Sequence, residues 1–194
     1  MKKHSHGADL YDLETKYQWR ADDIRDFSSN INPLGPSPKA LTYFRDHLAA
    51  LSRYPDPEYR KLREAIGRYV HASADDVLLG SGTSQLIQAY IAYMKPKKAL
   101  LNSPCYSEYE RELEKNRAHI IEYTLDYHAN FKIDVDEVIR IIREEGIDLY
   151  VLTNPNNPTG SILTRVDIER ILDETDVHML VDETYICLLY TSLS

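Results

Sequence analysis

Three short stretches hold the residues best suited to chemistry, and each sits where an apolar run gives way to a polar one. In Gly80-Ser81-Gly82-Thr83-Ser84-Gln85, small residues lead into a helical pattern. Small residues let the backbone approach an anion closely, and a helix start offers free N–H groups at the positive end of its dipole. No Gly-Lys-Ser/Thr follows, which excludes a nucleoside-triphosphate P-loop and leaves a plain tight turn as the alternative. In Asn154-Pro155-Asn156-Asn157-Pro158-Thr159-Gly160, prolines restrict the backbone and Asn157 supplies a short amide that can be aimed rigidly, although all these residue types also form turns. In Val181-Asp182-Glu183-Thr184-Tyr185, an apolar run ends on an acid. A carboxylate there is costly unless something cationic pairs with it, the plainer alternative being a helix N-cap. A helical turn points Asp182 and Tyr185 the same way. The three stretches together suggest a bound cationic heteroaromatic ring.

The elements that must position them follow from periodicity. Short apolar runs at Val77–Leu79, Ala99–Leu101, His119–Tyr123, Leu149–Leu152 and Met179–Val181 read as strands. Helical patterns at Gln85–Met94, Ser107–Asn116, Val135–Glu145 (closed by Gly146) and Arg165–Asp173 (capped by Thr164) alternate with them. This alternation predicts an α/β chain with a mostly parallel sheet and flanking helices, whose ligands lie beyond the carboxyl ends of the strands. Upstream, Ser37-Pro38 predicts a helix to about Leu51 and Asp56-Pro57 another to about His71, with Leu62, Ile66, Tyr69 and Val70 at helical spacing. These two helices read as part of a small module over residues 37–75. Residues 1–36 read as a polar, turn-rich arm, residues 76–186 as an incomplete large domain, and residues 187–194 as an atypical tail.

Composition narrows the function classes. The 194 residues carry 31 acids against 23 bases, a net charge of −8, which argues against nucleic-acid or anionic-membrane partners. Cys105 and Cys187 are too few for a disulfide framework or a thiolate zinc site, so no metal is expected. No apolar run approaches a membrane span, and the opening Met-Lys-Lys-His-Ser-His-Gly lacks an apolar segment, so a cytosolic location is expected. His4 and His6 on a terminus do not make a metal site, Cys105 has no evident base partner, and Glu108–Lys115 reads as a charged helix face.

In this order, GSGTS, NPNNPTG and VDETY resemble the fold-type-I pyridoxal-phosphate enzymes of the class I/II aminotransferase group, over about Asp26 to Tyr185. Within the group, His6-Gly7, the stretch from Asp26 to Gly35, and Arg53-Tyr54-Pro55-Asp56-Pro57 look most like the threonine-phosphate decarboxylases of cobalamin biosynthesis, with histidinol-phosphate aminotransferases close by. The resemblance implies pyridoxal 5'-phosphate as cofactor and a phosphorylated amino acid as substrate. Asp182 would hold the pyridinium nitrogen protonated, Asn157 and Tyr185 would bond the phenolic oxygen, and Tyr106 would stack on the ring. Thr83 and Ser84 would hold the cofactor phosphate, while Tyr54 would reach the phosphate of a neighbouring subunit in a homodimer. Asn32 and the arm around Gly35 would cover the substrate, and His6 would help bind its phosphate.

One departure stands out. Such enzymes use a Schiff-base lysine beyond the Asp182 strand and a later arginine for the substrate carboxylate. The last lysine here is Lys132 and the last arginine Arg170. The sequence is therefore expected to be an N-terminal portion with a foreign or frame-shifted tail, inactive alone and holding no catalytic residue of its own. A lysine-less module that binds the cofactor without turnover is the alternative from a different class.

Overall fold

The computed structural model describes residues 10–32 and 34–188, which divide into two compact units at Arg60/Lys61. The N-terminal unit contains helix α1 (Leu10–Tyr17), helix α2 (Pro38–Asp46) and a 3-10 segment at Leu48–Ser52. Within the polar, turn-rich stretch of residues 1–36, helix α1 forms where Leu10, Leu13 and Tyr17 recur at helical spacing. Pro38 opens α2 as expected, but Ser37 makes no side-chain cap bond and the α-helix stops at Asp46. His47 leaves helical geometry (φ −117°), its ring bonded to the Tyr43 carbonyl at 2.8 Å, and the chain tightens into the 3-10 segment.

Helix α3 (Arg60–Val70) starts later than the Asp56-Pro57 signal predicts, because Tyr59 adopts φ 50°. Its apolar positions Leu62, Tyr69 and Val70 are exposed. Then follow α4 (Thr83–Met94), β1 (Lys98–Ser103), α5 (Ser107–Lys115), β2 (His119–Thr124), α6 (Val135–Glu145), β3 (Leu149–Thr153), α7 (Arg165–Glu174) and β4 (His178–Asp182). The expected strand at Val77–Leu79 does not form. Val77 has extended dihedrals, but the run pairs with none of the four strands and Leu78 is exposed, and a strand exists only where a neighbour completes its hydrogen bonds.

The sheet has the order β2-β1-β3-β4 with every pairing parallel. Alternate residues of the central strands supply two cores. Leu100, Tyr150 and Leu152 pack with Val138, Ile139 and Ile142 of α6 and Ile171 of α7. Ala99, Leu101, Leu149 and Val151 pack with Ile87 and Ile91 of α4 and Tyr109 and Leu113 of α5. All five residues of β3 are buried, the signature of a strand covered on both faces. Helix ends are set by local chemistry: Gly146 closes α6 at φ 63°, and Thr164 and Asp167 form a reciprocal capping box at the start of α7. No helix among the described residues is long and apolar enough to cross a membrane.

Candidate functional site

From β1 the chain moves out to β2 and then returns to the other side of β1 as β3, so the order reverses between β1 and β3. At such a switch point the two outgoing loops diverge and leave a crevice at the carboxyl ends of the strands. A cavity of about 240 Å³ lies there. Thr83, Ser84, Tyr106, Asn157, Asp182 and Tyr185, drawn from four separate parts of the sequence, all line it.

Asp182 ends β4 and is buried. Its Oδ1 accepts the Thr184 N–H at 2.9 Å and the Thr184 hydroxyl at 2.6 Å, so one oxygen shapes the turn that brings Tyr185 round to the cavity. Its Oδ2 accepts the Tyr109 hydroxyl at 2.7 Å, and Thr153 Oγ1 donates to that hydroxyl at 2.8 Å. Asp182 caps no helix, since the next helical segment begins only at Ile186; one of its oxygens instead closes the turn at Thr184. No cationic residue is among the described groups lining the cavity.

The loop after β3 divides its asparagines between structure and site. Asn154 exchanges two hydrogen bonds with the Leu163 backbone, both 2.9 Å, and its N–H donates to the Asp182 carbonyl. Asn156 donates to the Pro104 carbonyl at 3.1 Å, tying this loop to the one after β1. Asn157 alone faces the cavity. The X-Pro bonds before Pro104, Pro155 and Pro158 are cis. Across the cavity, Gly82 caps α4 with φ 86°, where a side chain would be strained, and leaves the first N–H groups of the helix beside the Thr83 and Ser84 hydroxyls. A Cβ at Gly80 would stand 2.7 Å from the Leu86 side chain, which would have to shift to admit it. Tyr106 meets Tyr109 edge-on, with ring centroids 5.6 Å apart.

The remaining expected residues belong to the N-terminal unit or fall outside the described residues. Tyr54, Asn32 and Gly35 belong to the N-terminal unit, where Tyr54 is fully exposed and Asn32 accepts the Leu34 N–H at 2.9 Å in a turn that Gly35 completes at φ 73°. His6 lies outside the described residues. Tyr109, Thr153 and Thr184 line the cavity without having been singled out from the sequence. The reading of α5 as a charged face is corrected, since Glu108 and Glu112 are buried, paired with Arg111 and, for Glu112, also with Lys115 at 2.6 Å. Burial, with Glu110 and Glu122 nearby, pushes the Cys105 thiol up to about 11, so it is a poor nucleophile at neutral pH.

The profile of the aminotransferase class I and II family matches residues 22–194. A protein of Caldanaerobacter subterraneus assigned as a threonine-phosphate decarboxylase is 37% identical over 172 residues, which is 89% of this chain and 44% of that protein. The crystal structure of the histidinol-phosphate aminotransferase from Clostridium acetobutylicum superposes with a TM-score of 0.73 at 31% identity, over 84% of this chain and 48% of that one. The fold also matches histidinol-phosphate aminotransferase from Sinorhizobium meliloti in complex with pyridoxal-5'-phosphate, with a TM-score of 0.72 at 19% identity, over 81% of this chain and 43% of that one. The chain spans less than half the length of each of these three relatives.

Proposed function

Because the chain belongs to the aminotransferase class I and II family, whose cofactor is pyridoxal 5'-phosphate, we propose that its cavity is the cofactor site of a decarboxylase acting on L-threonine O-3-phosphate. The product is (R)-1-aminopropan-2-yl phosphate, for cobalamin biosynthesis. One observation carries the cofactor assignment: a buried carboxylate, Asp182, lines a cavity that also holds an open helix start, an amide and a phenol, with no cation among the described lining groups. The donor set fits the cofactor. A protonated ring nitrogen answers the carboxylate, the phenolic oxygen takes donors from Asn157 and Tyr185, and the phosphate takes the N–H groups and hydroxyls of Thr83 and Ser84.

When bound, the cofactor supplies an electron sink for the bond broken at the substrate Cα. Asp182 keeps a proton on the ring nitrogen, which sustains that sink. Asn157 and Tyr185 would fix the ring's rotation, and Tyr106 would cover one face and hold water off it. Asn32, the Gly35 turn and His6 are assigned to the substrate side. Tyr54, fully exposed, is assigned to a neighbouring subunit's cofactor phosphate in a cytosolic homodimer. No lysine follows Asp182, and Arg170 is taken up by Asp136 and Glu174 at the surface.

Equilibrium dialysis of the purified chain against pyridoxal phosphate tests the site. Retention is expected, with Asp182→Ala and Asn157→Ala each reducing affinity by about ten- to a hundredfold, the scale of a charge-assisted hydrogen bond. Equal retention by the double variant would remove the assignment. The 31% identical histidinol-phosphate aminotransferase favours transamination as a second reading. Product analysis on the protein as encoded in its genome separates the two: aminopropanol phosphate without keto-acid consumption supports the decarboxylase, and 2-oxoglutarate turnover supports the transferase.

A further inference from the structure

The hydroxyls of Tyr109 and Thr153 beside Asp182 have no place in the reading above. Tyr109 is 1% exposed, sits on α5 and meets two residues distant in sequence, Asp182 and Thr153. A carboxylate offers about four lone-pair sites. Thr184 occupies two on Oδ1, and Tyr109 occupies one on Oδ2. One site remains, on Oδ2, and the carboxylate borders the cavity.

We infer that Tyr109 is a positioning residue which, held by Thr153, leaves the Asp182 carboxylate a single open acceptor site directed at a protonated ring nitrogen. This rests on the cofactor assignment made above. A phenol has one proton to give. Thr153 donates to the Tyr109 oxygen, so the Tyr109 proton is directed to Asp182, and the order Thr153 to Tyr109 to Asp182 has a fixed direction. Burial, with the Asp182 charge adding to it, pushes the Tyr109 phenol well above its ordinary range, so it remains a donor at any pH the protein meets. The same ring supports Tyr106 edge-on, coupling the carboxylate's placement to that of the side chain assigned to the ring face.

The test compares two probes, pyridoxal phosphate and its 1-deaza analogue, in which C–H replaces the ring nitrogen. Dissociation constants are measured by equilibrium dialysis on the purified chain and its Tyr109→Phe, Thr153→Val and Thr153→Ser variants. Tyr109→Phe is expected to weaken pyridoxal phosphate about tenfold and the deaza analogue less than twofold, because only the former uses the presented lone pair. Thr153→Val should show a smaller selective loss that Thr153→Ser restores. This pair carries the test if Tyr109→Phe disturbs folding, as judged by thermal melting. Equal losses for both probes, or none, overturn the positioning role while leaving the cofactor site standing. Failure of the unaltered chain to bind either probe removes the cofactor site itself, and the inference with it.

Discussion

At the amino ends of β1, β3 and β4 the structure leaves a cavity of about 800 Å³, bordered by Lys97, Arg143, Asp148, Glu174 and His178; at the carboxyl ends the cavity is about 240 Å³. Three charged groups at the larger one are engaged by neighbours. Arg143 donates to the Glu174 backbone carbonyl and carboxylate, and Asp148 accepts the backbone N–H groups of Lys97 and Lys98. At the smaller one, a buried carboxylate has hydroxyl and N–H partners but no cation, and a helix start lies open beside it. On the proposed assignment, volume does not mark the site in this sheet. The state of the polar groups does, because a buried group with acceptor capacity left over is a place where a ligand can replace water at little cost.

The comparison assumes that both ends hang on one rigid layer. Leu152, fully buried in β3, is in that layer. Leu152→Ala should lower stability by about 3 kcal/mol in chemical denaturation, from lost burial and the cavity left behind. A loss below about 1 kcal/mol would mean that the strands are loosely held and that neither end has a defined geometry.

Burial at the carboxyl end makes a second difference, one that pH reveals. The Cys105 thiol is raised from its ordinary 9.0 to about 11 in the folded chain. The fold therefore binds that proton more tightly than the unfolded chain does. Its stabilising effect is complete below about pH 9 and is lost as pH rises toward 11. Denaturation of the unaltered chain and of Cys105→Ala at pH 8 and pH 10.5 should show the former losing on the order of 1 kcal/mol more. Parallel losses would place Cys105 in a wetter environment than the structure gives it.

Legibility from sequence follows the same division. Strands β1 to β4 and helix α6 are readable because their apolar runs are continuous or 3.6-periodic and because Gly146 marks a stop. Asn157 and Asp182 stand out because an amide among prolines and an acid ending an apolar strand are locally odd. Tyr109 does not, since its importance comes from partners 73 and 44 positions away that no local pattern reports. Glu108 and Glu112 mislead for the opposite reason: their residue type suggests solvent, while Arg111 and Lys115 one turn or less away allow them to be buried. Val77–Leu79 misleads because β-propensity says nothing of whether a neighbouring strand exists.

The smallest expected effect bears most directly on the comparison. Arg143 and Glu174 line the larger cavity 3.2 Å apart, with side chains 57% and 37% exposed. At that exposure, water screens the attraction and side-chain ordering offsets much of the rest, so the coupling energy in a double-variant cycle should be about 0.5 kcal/mol or less. Arg143→Ala also removes two hydrogen bonds to the Glu174 carbonyl, so the single variant should lose somewhat more than the cycle reports. Neither variant should change affinity for pyridoxal phosphate, because the pair lies at the opposite ends of the strands from Asp182. An affinity change matching that of Asp182→Ala would place the ligand at the amino ends and reverse the assignment of the two cavities. A coupling well above 1 kcal/mol with affinity intact would keep the assignment but show the amino end to be a structural clamp rather than a solvated groove.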